Sequence, residues 1–484
     1  MKPHYPRIRR VKTRSGSTAI QVGNYKGKTF QLAKHIGSSK DPSKIQDLIE
    51  QAHAYIRTHS PQLEFNFNPH SEEILYKNGL VVAHSSLEEA YTYLSDVYHR
   101  LGFERLNNDL LKHFVLIRVL EPASKIRSIY LLQKYFGIHY KKTTVFRELA
   151  KLVELKADIC RTAIAYARRK LAFDFSLIFY DVTTLYFEAH AEDDFRKNGF
   201  SKDMKLGQPQ VVIGLVVNPD GFPIYFDIFK GNTFEGKTLL PIILGIKQTY
   251  SIRKLTVVAD AAMLSETNLT ELQANHIDYV VGARLGQMNL GELQKVTREL
   301  RQTDQKIIRH GSMIYEYSAR RAKKDRTEND KQIERAQYYV DHPSLVVRRS
   351  KFIAPLKNQR IQLNQDLIEK HRLLEGIKGY KTSLTRLRPA LLVARYKDLW
   401  RIEQSFRIAK SDLEARPIYH RKETSIQSHV LIVFVALCLA KTIELETGLS
   451  IKRVVADLRD KWTLILNDTI SGNTVKIQVD QKPH

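Results

Sequence analysis

Cysteine is nearly absent from this 484-residue chain, which has only Cys160 and Cys438. That excludes a disulfide framework and a four-cysteine zinc site. Both residues lie in apolar helical patterns and read as buried thiols, which suits a reducing cytosol. The 17 histidines form no pair at metal spacing with cysteines, so zinc is not expected either. Acid is short relative to base: 77 Lys and Arg stand against 52 Asp and Glu, a net charge of +25. An excess of that size implies a polyanionic partner, with nucleic acid ahead of an anionic membrane. Long apolar runs are also missing. The longest, "VLIVFVALCLA" at 430–440, falls short of the roughly 20 residues needed to span a bilayer and reads as a core helix. No apolar stretch follows the charges of "MKPHYPRIRR", so no secretory signal is expected. The expectation is a cytoplasmic protein without a membrane partner.

What is present divides into segments. Residues 1–85 open with a basic stretch holding 12 Lys and Arg against 3 Asp and Glu in the first 60 positions. Polar–apolar alternation between Gly-containing turns predicts an antiparallel meander there, and "DPSKIQDLIEQAHAYIRT" a helix after it. The polar stretch 59–73 reads as a linker. Residues 86–172 are helical in period, broken at Pro122 and Gly137. Their Lys125, Arg127, Lys134, Lys141, Lys142 and Arg147 allow either a helix-turn-helix reader or a plain basic bundle.

From 173 to 285 the period changes. "FDFSLIFYDVTTLYF", "QVVIGLVVN" and "FPIYFDIF" are three strands, the last two joined by "PDG" (219–221). A helix, the apolar strand "KLTVVAD", a helix capped by Ser265 and the strand "DYVVGA" follow. The order β-β-β-α-β-α-β is that of the ribonuclease H-like core, an α/β fold with a mixed sheet. Residues 286–390 read as a basic, β-rich insertion, and 391–470 as the second part of the core with a strong helix. Residues 471–484 are a tail.

Three acids stand out within this order. Asp181 lies inside the first strand of the core and Asp260 at the end of the fourth, and these strands are neighbours in such a topology. Two close carboxylates repel unless a cation neutralises them, and Mg²⁺ takes hard oxygen ligands while keeping waters. The plainer alternative for either acid is a local cap or a lysine pair. In the helix 396–413, Leu399, Ile402, Phe406, Ala409 and Leu413 trace an inward stripe, with Glu403 at its edge and Lys410 two turns on. An acid there is often a surface residue, yet it completes an Asp, Asp, Glu set able to hold two metal ions.

With "HIGSSK", "YDVTTLYFE", "GFPIYFDIFKGNTFEGKTL", "VVADAAMLS", "SARRAKKDR" and "YKDLWRIEQSFRIAKSDLEARPIYHR" in this order, the chain resembles a bacterial insertion-sequence transposase of the DDE class. The resemblance is to the group whose core is interrupted by a β-rich insertion before the glutamate. It covers nearly the whole chain. It implies cleavage of 3′ ends at terminal inverted repeats and joining to target DNA, by Asp181, Asp260 and Glu403 with two Mg²⁺ (or Mn²⁺). It further implies a homodimer holding both element ends, at the bacterial nucleoid. In the group's signature, Tyr396, Glu403 and Lys410 match, but Leu399 stands where an Arg is usual. Arg401 or Arg407 is the candidate replacement in contacting DNA. The insertion has no Trp; Tyr315, Tyr317, Tyr338 and Tyr339 are its candidate base-stacking residues.

"SARRAKKDR" offers Arg320, Arg321, Lys323 and Lys324 as phosphate contacts or as a solvated basic face. Arg416 and Arg421 of "RPIYHR" are further DNA-contact candidates. Glu188, Glu192, Asp193 and Asp194 are rival acids that read as solvated, and Thr183 and Thr184 as strand formers. Two other functions fit less of the pattern: a DNA-binding protein without activity, and a metal-dependent nuclease that cuts without joining.

Overall fold

The computed structural model describes residues 6–13, 15–26, 29–59, 80–188, 191–199, 207–263, 265–301, 303–342, 351–355, 361–468 and 473–480. The linker read at 59–73 lies almost wholly outside them. The chain forms two units, Met1–Asn78 and Gly79–His484. The first is an antiparallel sheet of β1 (Arg7–Lys12), β2 (Thr18–Lys26) and β3 (Thr29–Ser39), followed by α1 (Pro42–His59). Ile20, Val22, Ile49 and Ala52 close a small core between sheet and helix.

The second unit begins with β4 (Leu80–Ser86) and the helices α2 (Glu88–Leu101), α3 (Asp109–Leu120), α4 (Lys125–Phe136), α5 (Lys142–Lys151) and α6 (Lys156–Lys170). The core then runs β5 (Ile178–Tyr186), β6 (Gln210–Val217), β7 (Pro223–Lys230), α7 (Leu239–Thr249), β8 (Thr256–Ala259), α8 (Glu266–Ala274) and β9 (Asp278–Gly282). Next come α9 (Leu290–Leu300), β10 (Ile307–His310), β11 (Met313–Tyr317), α10 (Ala319–Asp341), β12 (Ile353–Pro355), β13 (Ile361–Leu363), α11 (Gln365–Leu374) and β14 (Ile377–Thr382). The chain ends with α12 (Pro389–Lys397), α13 (Trp400–Arg407), α14 (Glu423–Thr447), α15 (Ile451–Asp460), β15 (Lys461–Asp468) and β16 (Thr474–Asp480).

The main sheet has the order β10-β11-β14-β9-β8-β5-β6-β7. Within it β7, β6 and β5 are antiparallel, while β5, β8 and β9 run parallel. That is the ribonuclease H-like arrangement expected from the sequence. The β6–β7 hairpin turns at Gly221, whose φ of +80° favours glycine, and Asn218 Oδ1 accepts from the amides of Asp220 and Phe222. Ser265 caps α8 by accepting from Asn268 N.

Several boundaries differ from the sequence reading. The insertion is not mainly β: among its described residues helices take up more than strands, and "SARRAKKDR" opens the 23-residue helix α10 behind the N-cap Ser318. Its strands β10, β11 and β14 continue the core sheet rather than forming a separate body. The helix read across 396–413 breaks at Asp398 and ends in a π-helical turn, Ile408–Asp412. Residues 474–480 are not a tail but a strand, because β16 and β4 flank β15 in a three-stranded sheet. The region 86–172 is also no free-standing reader. Nearly all of α3 is buried, and its apolar residues belong to the same core as the sheet. α14 is long and apolar enough to cross a membrane, yet it is buried inside the protein, against α2, α3, α5 and β7 among others. Cys160 and Cys438 are free and buried.

Candidate active site

Alternation along β5 sends successive side chains to opposite faces of the sheet. The Tyr180 hydroxyl donates to Thr238 Oγ1 at 2.6 Å on the α7 side. Thr183 and Leu185 face the other way, against Phe406, Lys410 and Val430. Asp181 shares their parity, so it belongs to the face covered by the segment that carries Glu403. The parallel register pairs Tyr180 with Ala259. One rung further on, Asp181 and Asp260 therefore flank each other across neighbouring strands, a separation of about 5 Å between backbones.

Glu403 reaches this face through α13, which packs on β5 and β6. Ile402 and Phe406 are buried, while Glu403 is exposed. A buried hydroxyl fixes the helix: Ser405 Oγ donates to the Gly221 carbonyl at 2.8 Å, tying α13 to the β6–β7 turn. Neither Ser405 nor Gly221 carried a functional signal in the sequence.

Tyr396, at the end of α12, bonds to one of the three acids. Its hydroxyl donates to Asp260 Oδ1 at 3.2 Å, and the same oxygen accepts from Ala261 N at 2.7 Å. The phenol is pushed up, first by burial and then by the charge of Asp260 and its hydrogen bond, with Glu403 and Asp181 adding further. One side chain thus senses all three carboxylates. Behind it the Tyr380 ring meets the Tyr396 ring edge-on at 4.8 Å. Tyr380 in turn donates to the buried Glu316 at 2.9 Å, which also pairs with Lys397. Gly282 leaves room for this arrangement, since a Cβ there would lie 2.5 Å from the Tyr396 hydroxyl.

The other expected contacts divide. Arg321 joins Tyr396, Tyr380 and Lys378 in lining a cavity of about 410 Å³. Lys378, which the sequence reading passed over, has its amine pushed down by burial and by Arg321, while Glu316 and, least of all, Asp260 act in the opposite sense. Arg320, Lys323 and Lys324 stand exposed along the first turns of α10. Arg401 lies 5.4 Å over the Trp400 ring and 3.9 Å from Asp398, and Arg407 is exposed. Lys410 is half-buried on the π-helical turn. Leu399 is buried, so that position faces the core and not a DNA strand. Tyr315 is buried as well and cannot stack on a base, whereas Tyr338 is exposed. Asp193 serves its own loop, accepting from Phe195 N, Arg196 N and Arg196 Nε.

Residues 172–439 match the family described as Transposase DDE domain. The chain belongs to the DDE transposase family. The matched span holds Asp181, Asp260, Tyr396 and Glu403 and covers more than half of the transposase. It is a DNA transposase, an enzyme of the DDE type that cuts and transfers DNA strands. No curated protein matches the chain. Among solved structures, a piggyBac transposase synaptic complex with hairpin DNA is similar at 10% identity and TM-score 0.33, over 77% of this chain and 70% of that one. A Mos1 transposase paired-end complex with left transposon end gives 11% identity and TM-score 0.16, over 48% of this chain and 66% of that one. A Mos1 mariner paired end complex with Mn gives 10% identity and TM-score 0.16, over 48% and 72%.

DDE transposases generally use divalent metal. Among the described residues no three acidic, imidazole or thiol groups already converge to hold an ion. The donor set nevertheless fits one. Asp181 and Asp260 each follow the last paired residues, Tyr180 and Ala259, of two parallel strands, and the charges of both, with that of Glu403, act on the Tyr396 phenol. Carboxylate oxygens are the ligands that hard divalent cations prefer.

Proposed function

We propose that this transposase binds the terminal inverted repeats of its own element, cleaves the 3′ ends by water attack, and joins each freed 3′-OH to target DNA by direct transesterification. The observation that supports the reading is that Asp260, at the end of the strand beside that of Asp181, is bonded by Tyr396, whose phenol also feels the charge of Glu403 and Asp181. Asp181, Asp260 and Glu403 would hold two Mg²⁺ ions, with Mn²⁺ as a substitute. Such ions supply an activated oxygen nucleophile and charge stabilisation at the leaving oxygen.

The chain's own residues do the positioning. Strand β5 fixes Asp181 inside a stiff sheet, which limits its movement to less than a loop would allow. Tyr396 orients the Asp260 carboxylate by its hydrogen bond and, being a neutral phenol, adds no further negative charge beside the three acids. Lys410 and the cavity cations Arg321 and Lys378 place positive charge where a DNA backbone would approach. Both ends must be held together for paired joining, so a homodimer is the assembly that suits the reaction.

The test is an assay with labelled element ends, target DNA and Mg²⁺, run beside Asp181→Asn, Asp260→Asn and Glu403→Gln. The reading expects joined products from the unmodified protein and none from the three variants. Cleavage without joining would make the enzyme a nuclease, and full activity in the variants would remove these acids from the site.

A further inference from the structure

A second cavity, of about 550 Å³, lies beneath the turn that follows the Glu403 helix, away from the carboxylates. Its wall gathers basic side chains from four separate segments. Arg118 comes from α3, Lys125 from the first position of α4, His429 from α14, and Arg416 and His420 from the turn itself. Arg118, Lys125 and His429 are all at least 95% buried. Among the described residues lining it, Glu414 is the one acid, and it is exposed.

These groups differ in how well their polar atoms are compensated. Arg118 is satisfied by backbone carbonyls: it donates to Leu413 at 2.9 Å, Glu414 at 3.1 Å and Ala123 at 2.7 Å. Its role is to tie α3 to the end of the catalytic segment. Lys125 has no such set. Its Nζ lies 3.5 Å from His429 Nδ1 and 5.7 Å over the Phe114 ring. His429 Nε2 lies 3.0 Å from the Ala415 carbonyl, so Nε2 carries the ring proton and Nδ1 is left to accept from Lys125. Burying an ammonium without an anion is costly, and the group loses its charge instead. Lys125 is accordingly held well below the ordinary lysine range by burial and by Arg118. His420 is pushed down to about 4 by burial and then by Lys125 and Arg118. An anion placed in the cavity would reverse all of these effects at once.

We propose that this cavity binds a phosphate group of the DNA backbone, at a point on the duplex removed from the scissile bond. Its rim supports a DNA source over a free anion. The backbone beyond Arg416 runs beside the end of β5, with Ile418 N donating to the Tyr186 carbonyl at 3.2 Å. Tyr186 lies five positions along the strand from Asp181, or about 17 Å. Measured along the helix axis, that distance is about five base pairs of B-form DNA. Exposed Tyr419 and Arg421 continue the rim. The inference uses the transposase reading only to identify the polymer. Its readout, binding without metal, is independent of strand joining.

The experiment uses the full chain in metal-free buffer. Thermal unfolding is followed with inorganic phosphate against chloride at equal ionic strength, for the unmodified protein, Lys125→Met and Arg416→Gln. Affinity for labelled element-end duplex is measured on the same three proteins across a salt series. Methionine removes the amine while filling similar volume, so Lys125→Met is expected to fold. Phosphate should raise the Tm of the unmodified protein and leave that of Lys125→Met unchanged. Duplex affinity should fall about tenfold in both variants, and the salt slope should shrink by about one for the loss of one phosphate contact. Loss of the phosphate effect with unchanged duplex affinity and slope would show a site for free anions and overturn the DNA assignment. No phosphate effect in any protein, with affinity intact, would overturn the site itself.

Discussion

The Tyr396 hydroxyl donates to Asp260 Oδ1 at 3.2 Å, from a helix that reaches the core only after the whole insertion has been threaded. This bond fixes one carboxylate of the candidate active site from outside the sheet. Tyr396→Phe removes the donor and keeps the ring. A hydrogen bond to a charged group contributes about 1.5–3 kcal/mol, which corresponds to a fall of about 10- to 150-fold in cleavage rate. Single-turnover cleavage measures it, with urea unfolding showing that the fold is retained.

Gly282 tests the same contact from the other side. A methyl group there would lie 2.5 Å from the Tyr396 hydroxyl and 3.2 Å from Ala261. Gly282→Ala should displace the phenol and slow cleavage as Tyr396→Phe does. Combining the two should cost little beyond either alone, because both break one interaction. Full additivity in the double-mutant cycle would show that Gly282 acts by another route.

Glu375 anchors the insertion. It is 2% exposed and accepts from Arg326 at 3.1 Å, Arg372 at 3.0 Å and Asn329 at 3.1 Å. Burial opposes its charge, but those three donors outweigh burial and hold the carboxyl below its ordinary range. A depressed carboxyl stabilises above its unfolded pKa, and the contribution is lost as pH falls through the folded value. Glu375→Gln should cost about 2 kcal/mol at pH 7 and speed proteolysis within α10. The difference from the unmodified protein should narrow in acid.

The half-buried His420 and the buried His429 give a second, separate acid transition. His420 is pushed down to about 4, and His429 well below its ordinary value, in both cases first by burial and then by Lys125 and Arg118. Their lowered folded values mean the unfolded chain binds more protons below about pH 6.5. Stability is therefore whole above that point and declines as pH falls toward 4. Urea midpoints across that window should drop less steeply in His420→Asn than in the unmodified protein.

Much of this was legible in the sequence, for local reasons. Apolar runs of strand length, the "PDG" turn and the Ser265 cap dictated the element order, and with it the adjacency of Asp181 and Asp260. The stripe Leu399, Ile402, Phe406, Ala409, Leu413 is buried as its spacing implied, which leaves Glu403 beside the sheet. What was not legible depends on contacts far apart in the chain. Glu316 and Tyr380 meet through the pairing of β11 with β14, and Gly282 is needed only because Tyr396 lies over it. The charge of α10 masked its helical period, because Ala322, Asn329 and Ala336 are its only buried positions among the described residues. Lys125 was open in the sequence to either a DNA reader or a plain basic bundle, and only the packing of Phe114 of α3 and His429 of α14 shows it buried.

The central claim is that Asp181, Asp260 and Glu403 act together as metal ligands in strand cleavage. Its most direct measurement is cleavage of a labelled element end by Asp181→Cys, Asp260→Cys and Glu403→Cys, each in Mg²⁺ and in Mn²⁺. Thiolate is a poor ligand for Mg²⁺ and a better one for a softer ion. The account predicts that every variant is inactive in Mg²⁺ and that Mn²⁺ restores measurable cleavage in at least the two strand positions. Undiminished cleavage in Mg²⁺ by any of the three would contradict it.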